Sequence, residues 1–261
     1  MEFINLVHHG ASMYAPENTL ASFYKGVELG ANGIETDLQK TKDGVIFLFH
    51  DDKLDNKTDA KGYPSEYTWA ELKQLDAGSW FSPKYKGERL LSFEEFLHYF
   101  GGKELIFAIE LKVPFVEKEA EEILGLIDCY EIREKVTITS FIFENLMVTR
   151  KTDKDIKIGY LLKKIDVDNI KRLKSINAQQ ICPSAELLTP QGVLLAKEHG
   201  LQVRAWGVKN IELMKRALDC GVDGMTLDFP DKLVKTLSPV PGIFRMVQYI
   251  QNKNFAPKKL N

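Results

Sequence analysis

The sequence predicts an α/β protein, a TIM-like (β/α)₈ barrel with a small insertion after the second strand. Short apolar strands alternate with amphipathic helical segments in eight strand–helix units between residues 3 and 237. Such alternation is typical of a parallel sheet with helical connections. The length of 261 residues suits a barrel, which commonly has about 250 residues in one domain. Several charged residues follow strands, and the carboxyl ends of barrel strands carry the chemistry of this fold.

The predicted strands are short apolar runs that alternate with the helices at regular spacing. The first begins almost at the N-terminus and ends in the triplet His8-His9-Gly10, and the second contains two carboxylates. Later strands have the same length and apolar character. In chain order, we predict strands at 3–7, 33–38, 104–111, 136–140, 157–162, 180–183, 202–207 and 224–227.

The predicted helices have apolar stripes and recognisable ends. Asn18 or Thr19 provides a cap for the first helix, and Gly30 ends it. Ser92 followed by Glu95 forms a capping box at the start of the second barrel helix. We predict helices at 20–29, 92–99, 116–129, 143–150, 167–176, 191–199, 211–220 and 231–237.

Three further segments modify this pattern. Lys42-Asp43-Gly44 predicts a hairpin after the second strand, and its returning run at 45–49 leads to His50 and Asp51. Residues 52–89 are polar and rich in turns, with one helical patch at 68–75, and we interpret them as an insertion over the mouth of the barrel. Residues 1–237 thus form one predicted domain. The tail at 238–261 is predicted to add a helix at 242–251 against the barrel and then to fray.

Composition and charge argue against several classes of protein. Apolar residues make up 44% of the chain, and 35 basic against 37 acidic residues leave a net charge of −2. No strong field therefore attracts nucleic acid or an anionic membrane. Three widely spaced cysteines without a CxxC motif favour a reducing compartment. There is no basic and apolar leader and no apolar run of about 18 residues, so we expect a cytoplasmic protein without a transmembrane segment.

Glu35 and Asp37 are the two carboxylates of the second predicted strand, Gly33–Leu38. Side chains alternate along a strand, so both point to the same face, about 6–7 Å apart. Two like charges on a buried strand repel each other, and each is costly to remove from water. A divalent cation with oxygen ligands would resolve both costs. The alternative from these six residues alone is a solvated edge strand with two unremarkable acids.

The barrel prediction brings further polar residues to the same place. Glu110 forms an oxygen-rich set with Glu35 and Asp37, and this set suits Mg²⁺ or Ca²⁺ better than zinc, because neither cysteine nor a paired-histidine spacing is available. His50 reaches the mouth from the hairpin. The residues predicted at carboxyl ends of strands are His8, Glu35, Asp37, Glu110, Lys112 and Trp206.

The ordered motifs of this chain resemble those of the glycerophosphodiester phosphodiesterase family, from about Leu6 to Leu237. The motifs of the first half are His8-His9-Gly10, Pro16-Glu17-Asn18-Thr19, Gly33-Ile34-Glu35-Thr36-Asp37-Leu38, Thr41-Lys42-Asp43-Gly44 and His50-Asp51. Those of the second half are Glu110-Leu111-Lys112, Ser140-Phe141, Trp206 and the run from Gly221 to Pro230. The resemblance implies a TIM-like barrel with a small insertion after the second strand, where residues 52–89 lie.

The resemblance implies metal-dependent hydrolysis of small glycerophosphodiesters to glycerol 3-phosphate and an alcohol. Its residue roles, carried over by position, are a general acid–base pair (His8 and His50), ligands of one divalent cation, Mg²⁺ or Ca²⁺ (Glu35, Asp37 and Glu110), and substrate or phosphate contacts (His9, Lys112 and Trp206). Imidazoles with an ordinary pKa of about 6.5 suit proton transfer at neutral pH. The attacking oxygen belongs either to water or to the glycerol hydroxyl of the substrate. Trp206, with Trp80 or Phe81 from the insertion, is expected to wall the glycerol site.

Three positions depart from the family pattern. His9 stands where the family usually has Arg, and an imidazole does not reproduce the bidentate fork of a guanidinium. Asn56-Lys57 replaces the usual Arg-Thr after His50-Asp51, and Gly207-Val208-Lys209 replaces Thr-Val-Asn after Trp206. The departures affect the expected phosphate and leaving-group contacts, while the acids and both catalytic histidines match.

Other functions and roles are compatible with these residues. A lysophospholipase D or a sphingomyelinase-D-like phospholipase would act on a lipid phosphodiester in a related barrel. A binding protein without activity would keep the fold and lose the phosphate contacts. Asp228 either orients a site residue or ends the last strand. Glu17 and Asn18 are equally compatible with turn and cap roles or ligation, and we leave them outside the predicted metal site.

Overall fold

The computed structural model of the chain describes residues 3–237. The tail prediction, a helix at 242–251 packed on the barrel, lies outside the described residues. The strands are β1 (Ile4–His8), β2 (Gly33–Lys40), β3 (Ile46–Leu48), β4 (Ile106–Leu111), β5 (Val136–Ser140), β6 (Lys157–Leu162), β7 (Gln180–Pro183), β8 (Gln202–Val208) and β9 (Gly224–Leu227). The α-helices are α1 (Leu20–Glu28), α2 (Trp69–Leu72), α3 (Phe93–Phe100), α4 (Glu117–Cys129), α5 (Phe143–Thr152), α6 (Val167–Ser175), α7 (Pro190–Glu198), α8 (Ile211–Asp219) and α9 (Pro230–Leu237).

Eight parallel strands close into a barrel, which confirms the predicted fold. The strands follow one another as β1, β2, β4, β5, β6, β7, β8 and β9, and β9 pairs with β1 again. β3 pairs antiparallel with the outer end of β2, as the hairpin motif predicts. Gly44 adopts the left-handed φ of +86° that the hairpin turn needs. The closure brings the carboxyl ends of all eight parallel strands to one mouth.

Apolar side chains between the strands and the helical ring form the main core. Phe23 of α1 packs edge-to-face on Phe96 and Phe100 of α3, with ring centroids 5.0 and 5.6 Å apart, and Phe96 also contacts Phe107 of β4. These rings are almost completely buried, and burial of each stabilises the fold by about 1.5–3 kcal/mol. None of the helices in residues 3–237 combines the length and apolar character needed to cross a bilayer.

The helix caps agree with the predicted starts. Thr19, one of the two predicted candidates, caps α1 and accepts a hydrogen bond from the backbone N–H of Ser22. Ser92 and Glu95 form the predicted capping box of α3. Helix α2 is shorter than the predicted patch at 68–75, because the backbone N–H groups of Gln74 and Leu75 bond three residues back in a tightening turn.

Strand register aligns the polar residues of the mouth. His8 is level with Glu35 across β1 and β2. Asp37 is level with Glu110 across β2 and β4. Since the side chains of Glu35 and Asp37 share one face of β2, register alone brings three acids and a histidine close together.

The segment between β3 and α3 has a small core of its own. It contains α2 and short 3₁₀ turns at 54–56, 64–66 and 83–85. Its core consists of Phe47, Phe49, Leu54, Leu72, Ala77 and Leu90. The predicted boundaries of the insertion, 52 and 89, and the single-domain boundary at 237 stay predictions.

Asp76 organises a turn in this segment. Its carboxylate accepts hydrogen bonds from the backbone N–H groups of Ser79, Gly78 and Gly87 at 2.7, 2.9 and 2.9 Å. The Ser79 hydroxyl donates a further bond at 3.0 Å. These bonds, led by the one from Ser79, lower the pKa of Asp76 below its ordinary value.

We expect the Asp76→Ala substitution to speed amide hydrogen exchange at Gly78 and Gly87 by about three- to tenfold, the effect of losing one hydrogen bond each. In the wild type, the lowered pKa means that the carboxylate stabilises the native state above its unfolded-state pKa of about 3.9 and that this contribution is lost as pH falls toward the folded-state pKa. Asp52→Ala, at an exposed acid of the same segment, is the control. Unchanged exchange at both glycines in Asp76→Ala would contradict this role.

Candidate functional site

Three histidine rings lie side by side at the mouth of the barrel. The centroids of His8 and His9 are 3.5 Å apart, and His9 stacks on His50 at 4.5 Å with an interplanar angle of 26°. His8 is the last residue of β1, and His50 arrives at the end of the β2–β3 hairpin. The structure thus brings together the two histidines predicted as the acid–base pair, with His9 between them.

The backbone of His9 turns the chain away from the strand direction. Its φ is +51°, in the left-handed region that few residues other than glycine adopt. The N–H of His9 donates to the carbonyl of Glu35 at 3.0 Å. The carbonyl of His9 accepts from the N–H of Asn18 at 2.8 Å and from the hydroxyl of Ser22 at 3.0 Å. These bonds hold the His9 ring over β2.

Glu35 and Asp37 are buried beneath the histidines, with 4% and 0% of their surface exposed. Glu35 Oε2 and Asp37 Oδ1 are buried and accept no hydrogen bond. Asp37 Oδ2 accepts a long bond from Asn18 Nδ2 at 3.3 Å, and Asn18 Oδ1 accepts from the hydroxyl of Thr36 at 2.8 Å. Unpaired carboxylate oxygens are costly in a protein interior, so this pair is suited to a cation.

Lys112 neutralises part of the negative charge. Its ammonium lies 3.2 Å from Glu110 Oε1 and 3.7 Å from Asp37 Oδ1. Burial disfavours the charged form of Lys112, but Asp37 and Glu110 outweigh this and raise its pKa. Lys112 is therefore a retained positive charge at the floor of the mouth.

The three predicted metal ligands have different pKa values. Burial, with repulsion from Asp37 and Glu110, raises the pKa of Glu35 well above its ordinary value. Burial and Asp37 raise the pKa of Glu110 to about 7. Burial also opposes the ionisation of Asp37, yet the charges of His9 and Lys112 lower its pKa. Charge thus concentrates on Asp37, and Glu35 ionises readily only when a further positive charge is near.

His8 and His50 each have a carboxylate on Nδ1. His8 Nδ1 lies 2.8 Å from Asp228 Oδ1, and His50 Nδ1 lies 2.9 Å from Asp51 Oδ1. Desolvation, with the neighbouring His9, lowers the pKa of His8 even though Asp228 acts in the opposite direction. Of the two roles left open for Asp228, the structure supports orientation of a site residue.

A cleft of about 240 Å³ opens above these groups. Six of the predicted site residues line it, namely His8, Glu35, His50, Glu110, Lys112 and Trp206. The side chains of Asp37 and His9 are buried below it. Phe141 faces Trp206 edge-to-face at 4.9 Å and supplies the second aromatic wall.

Neither Trp80 nor Phe81 takes the place in this wall that the sequence analysis expects. The Trp80 indole N–H donates to the carbonyl of Ala77, and its ring lies 4.0 Å from the ammonium of Lys57. Phe81 packs between Trp80 and Tyr85. Both rings therefore pack against residues of their own segment, between β3 and α3, and do not line the cleft.

The predicted metal ligands do not all meet in one group. Among residues 3–237, three groups of three side chains have ligand atoms that all lie within 4.8 Å of one another: His9, Glu35 and Asp37; His8, His9 and His50; and Glu17, His50 and Asp51. Glu110 belongs to none of them, because its carboxylate is turned to Lys112. Glu35 and Asp37 come together as predicted.

Sequence reasoning missed several side chains of the site. Arg204 is 1% exposed, lines the cleft, and donates from Nε to Gln180 Oε1 at 3.0 Å and from its terminal nitrogen to the Thr226 hydroxyl. Its position two residues before Trp206 on β8 was the available signal, since strand residues i and i+2 share a face. Asn18 and Phe141 lie in motifs that the sequence analysis quotes, but their contacts in the site, with Asp37 and Trp206, come from other elements and are not predicted there.

Known proteins are similar to this chain in sequence and in architecture. The family model described as the glycerophosphoryl diester phosphodiesterase family matches residues 8–232. A glycerophosphodiester phosphodiesterase of Caldanaerobacter subterraneus is 34% identical over 239 residues, covering 90% of this chain and 97% of that protein. One from Bacillus subtilis is 32% identical over 247 residues and covers 87% of this chain and 84% of its own.

Solved structures agree with the sequence comparison. A crystal structure from Galdieria sulphuraria matches with a TM-score of 0.81 and 29% identity, over 92% of this chain and 98% of the other. A phosphodiesterase of Oleispira antarctica, solved with the product sn-glycerol-3-phosphate, matches with a TM-score of 0.79 and 27% identity, over 90% and 96% of the two chains. The chain therefore belongs to the glycerophosphoryl diester phosphodiesterase family and is a phosphodiester hydrolase.

Proposed function

We propose that the protein hydrolyses glycerophosphodiesters to glycerol 3-phosphate and an alcohol, with a divalent cation and two histidines as acid and base. The observation that carries the proposal is the placement of His8 and His50 on one cleft, above two buried carboxylates with unpaired oxygens. The names of the Caldanaerobacter and Bacillus relatives, and the product bound to the Oleispira enzyme, support the substrate class.

The cation would be held by Glu35, Asp37 and Glu110. The unpaired oxygens of Glu35 and Asp37 fit this role, and Glu110 is level with Asp37 on the next strand. Oxygen donors favour Mg²⁺ or Ca²⁺. A cation bound there would neutralise charge on the non-bridging oxygens of the phosphodiester.

His8 and His50 would transfer the protons. With each Nδ1 engaged by a carboxylate, Asp228 or Asp51, the Nε2 atom is left for chemistry. One histidine removes the proton of the attacking oxygen, and the other donates a proton to the leaving alkoxide. Both carboxylates stabilise the imidazolium form of their histidine. Their hydrogen bonds to Nδ1 also fix the orientation of each ring, so neither ring has to turn during the reaction.

The remaining contacts concern the substrate. Lys112 lines the cleft as a positive charge, and in this proposal it would neutralise charge on the phosphate. Trp206 and Phe141 offer apolar walls for the glycerol carbons, and Trp206 is held in place by its indole N–H, which donates to the carbonyl of Leu162 at 2.9 Å. A phosphate contact by His9 stays a prediction; the His9 ring is buried and does not line the cleft.

We expect cation-dependent release of glycerol 3-phosphate from glycerophosphocholine or glycerophosphoethanolamine, abolished by EDTA and restored by Mg²⁺ or Ca²⁺. His50→Ala should lower kcat/KM by about 10²–10⁴-fold, because it removes one proton-transfer group. His98→Ala, at an exposed histidine of α3, is the matched control. A folded, cation-binding protein that releases no glycerol 3-phosphate would contradict the proposal, and cleavage of lysophosphatidylcholine alone would point to the lipid phosphodiesterase instead.

We also expect Asp228→Asn to lower kcat by about 10- to 1,000-fold with KM nearly unchanged, because His8 loses the carboxylate that fixes its ring and tautomer. Steady-state kinetics on the same substrates measure both constants. Asp231→Asn is the control, since that carboxylate accepts a hydrogen bond from Tyr14 and does not line the cleft. Equal losses in the two variants would mean that Asp228 has only a structural role.

A further inference from the structure

His9 is a buried histidine whose ring makes no hydrogen bond. Its side chain is 5% exposed, and both ring nitrogens, Nδ1 and Nε2, are buried without a hydrogen-bond partner within 3.5 Å. The nearest carboxylate oxygens, on Asp37 and Glu17, are 3.6 and 3.9 Å from Nε2 and Nδ1, beyond hydrogen-bond distance. Buried polar atoms in native proteins are almost always satisfied, and an unpaired one calls for an explanation such as an ion.

The fold itself fixes the ring in this place. Backbone hydrogen bonds to Glu35, Asn18 and Ser22 hold His9 in the left-handed conformation. The rings of His8 and His50 then flank the imidazole. The ring is thus held without any bond of its own, as a preformed ligand would be.

Two carboxylates that also have oxygen atoms without a hydrogen bond lie beside the His9 ring. Glu35 Oε2 and Asp37 Oδ1 also accept no hydrogen bond, and Asp37 Oδ1 has only the Lys112 ammonium nearby, at 3.7 Å. One ligand atom from each of His9, Glu35 and Asp37 lies within 4.8 Å of the other two, and all three residues are buried. Glu110 does not join this group and pairs with Lys112 at 3.2 Å. One atom from each of these three neighbouring buried residues, three in all, would be satisfied together by a cation placed among them.

We propose that His9 is a direct ligand of the cation held by Glu35 and Asp37, and that this makes the site prefer Mn²⁺ to Ca²⁺. The inference rests on the proposed cation dependence and adds a nitrogen ligand to the oxygen set. Ca²⁺ takes oxygen ligands almost exclusively, whereas imidazole suits transition metals and carboxylate suits Mn²⁺. An imidazole added to the carboxylates therefore favours Mn²⁺ over Ca²⁺.

Electron spin echo spectroscopy of Mn²⁺ bound to the full-length protein, without substrate, tests the proposal. A coordinated imidazole adds a ¹⁴N modulation to the Mn²⁺ signal, and we expect it in the wild type and in His98→Gln. His9→Gln should still bind Mn²⁺ but lose the ¹⁴N modulation. By calorimetry, its Mn²⁺ affinity should fall by about tenfold or more, while its Ca²⁺ affinity changes much less.

The outcomes separate this proposal from the proposed function. Bound Mn²⁺ without ¹⁴N modulation in the wild type, or a modulation that persists in His9→Gln, overturns the role of His9 and leaves EDTA-sensitive hydrolysis intact. A wild type that binds neither Mn²⁺ nor Ca²⁺ overturns the cation dependence itself. If His9→Gln does not fold, His8→Gln and His50→Gln decide: the modulation must survive in both, and its loss in either contradicts the assignment.

Discussion

The repulsion between Glu35 and Asp37 is the constraint on which the rest of the site depends. Two carboxylates on one face of a buried strand would be unfavourable in an ordinary core. Here the surrounding barrel supplies partial compensation from several directions. Lys112 approaches Asp37 from the end of β4, and Asn18 donates to it from the loop before α1. Burial and the neighbouring acids raise the pKa of Glu35, and Arg204 of β8 opposes that rise. The oxygens that these groups leave unpaired are those that the proposed cation would bind.

The fold holds these buried charged residues in fixed positions, although their mutual repulsion lowers the local stability. The parallel register alone brings the backbone positions of four site residues close together, whatever rotamers their side chains adopt. These residues are His8, Glu35, Asp37 and Glu110. The helical ring and its aromatic packing then stabilise a scaffold that holds charges it would otherwise exclude. Functional sites commonly carry such unfavourable groups, and burial elsewhere in the domain compensates for them.

Local pattern accounts for much of what the sequence predicts correctly. The period of two on β2 predicts that Glu35 and Asp37 share a face, and the hairpin motif brings His50 to the mouth. The caps at Thr19 and Ser92 follow from chemistry within four residues. Each of these predictions needs only neighbouring residues, which is why sequence analysis reaches them.

The contacts that sequence analysis missed are decided between distant elements. Glu110 pairs with Lys112 two residues further on, a contact that the period of two allows. The position of His9 beside Glu35 and Asp37 depends instead on the loop after β1, and no strand periodicity encodes it. Trp80 and Phe81 pack within their own segment. The aromatic ring that faces Trp206 is that of Phe141. In the sequence, Arg204 is a single polar residue in a strand, and nothing indicates its partners. Only the closed barrel brings Gln180 and Thr226 beside it as hydrogen-bond acceptors.

Thermal unfolding of the wild type and Glu35→Gln, with and without divalent cation, tests the central claim most directly. If Glu35 and Asp37 repel each other and await a cation, Glu35→Gln without cation should unfold at a higher temperature, by about 2–4 °C for each kcal/mol gained. A cation should then raise the unfolding temperature of the wild type and of Glu104→Gln, an exposed control, but hardly that of Glu35→Gln. A Glu35→Gln protein that is less stable without cation and is still stabilised by it would contradict the account.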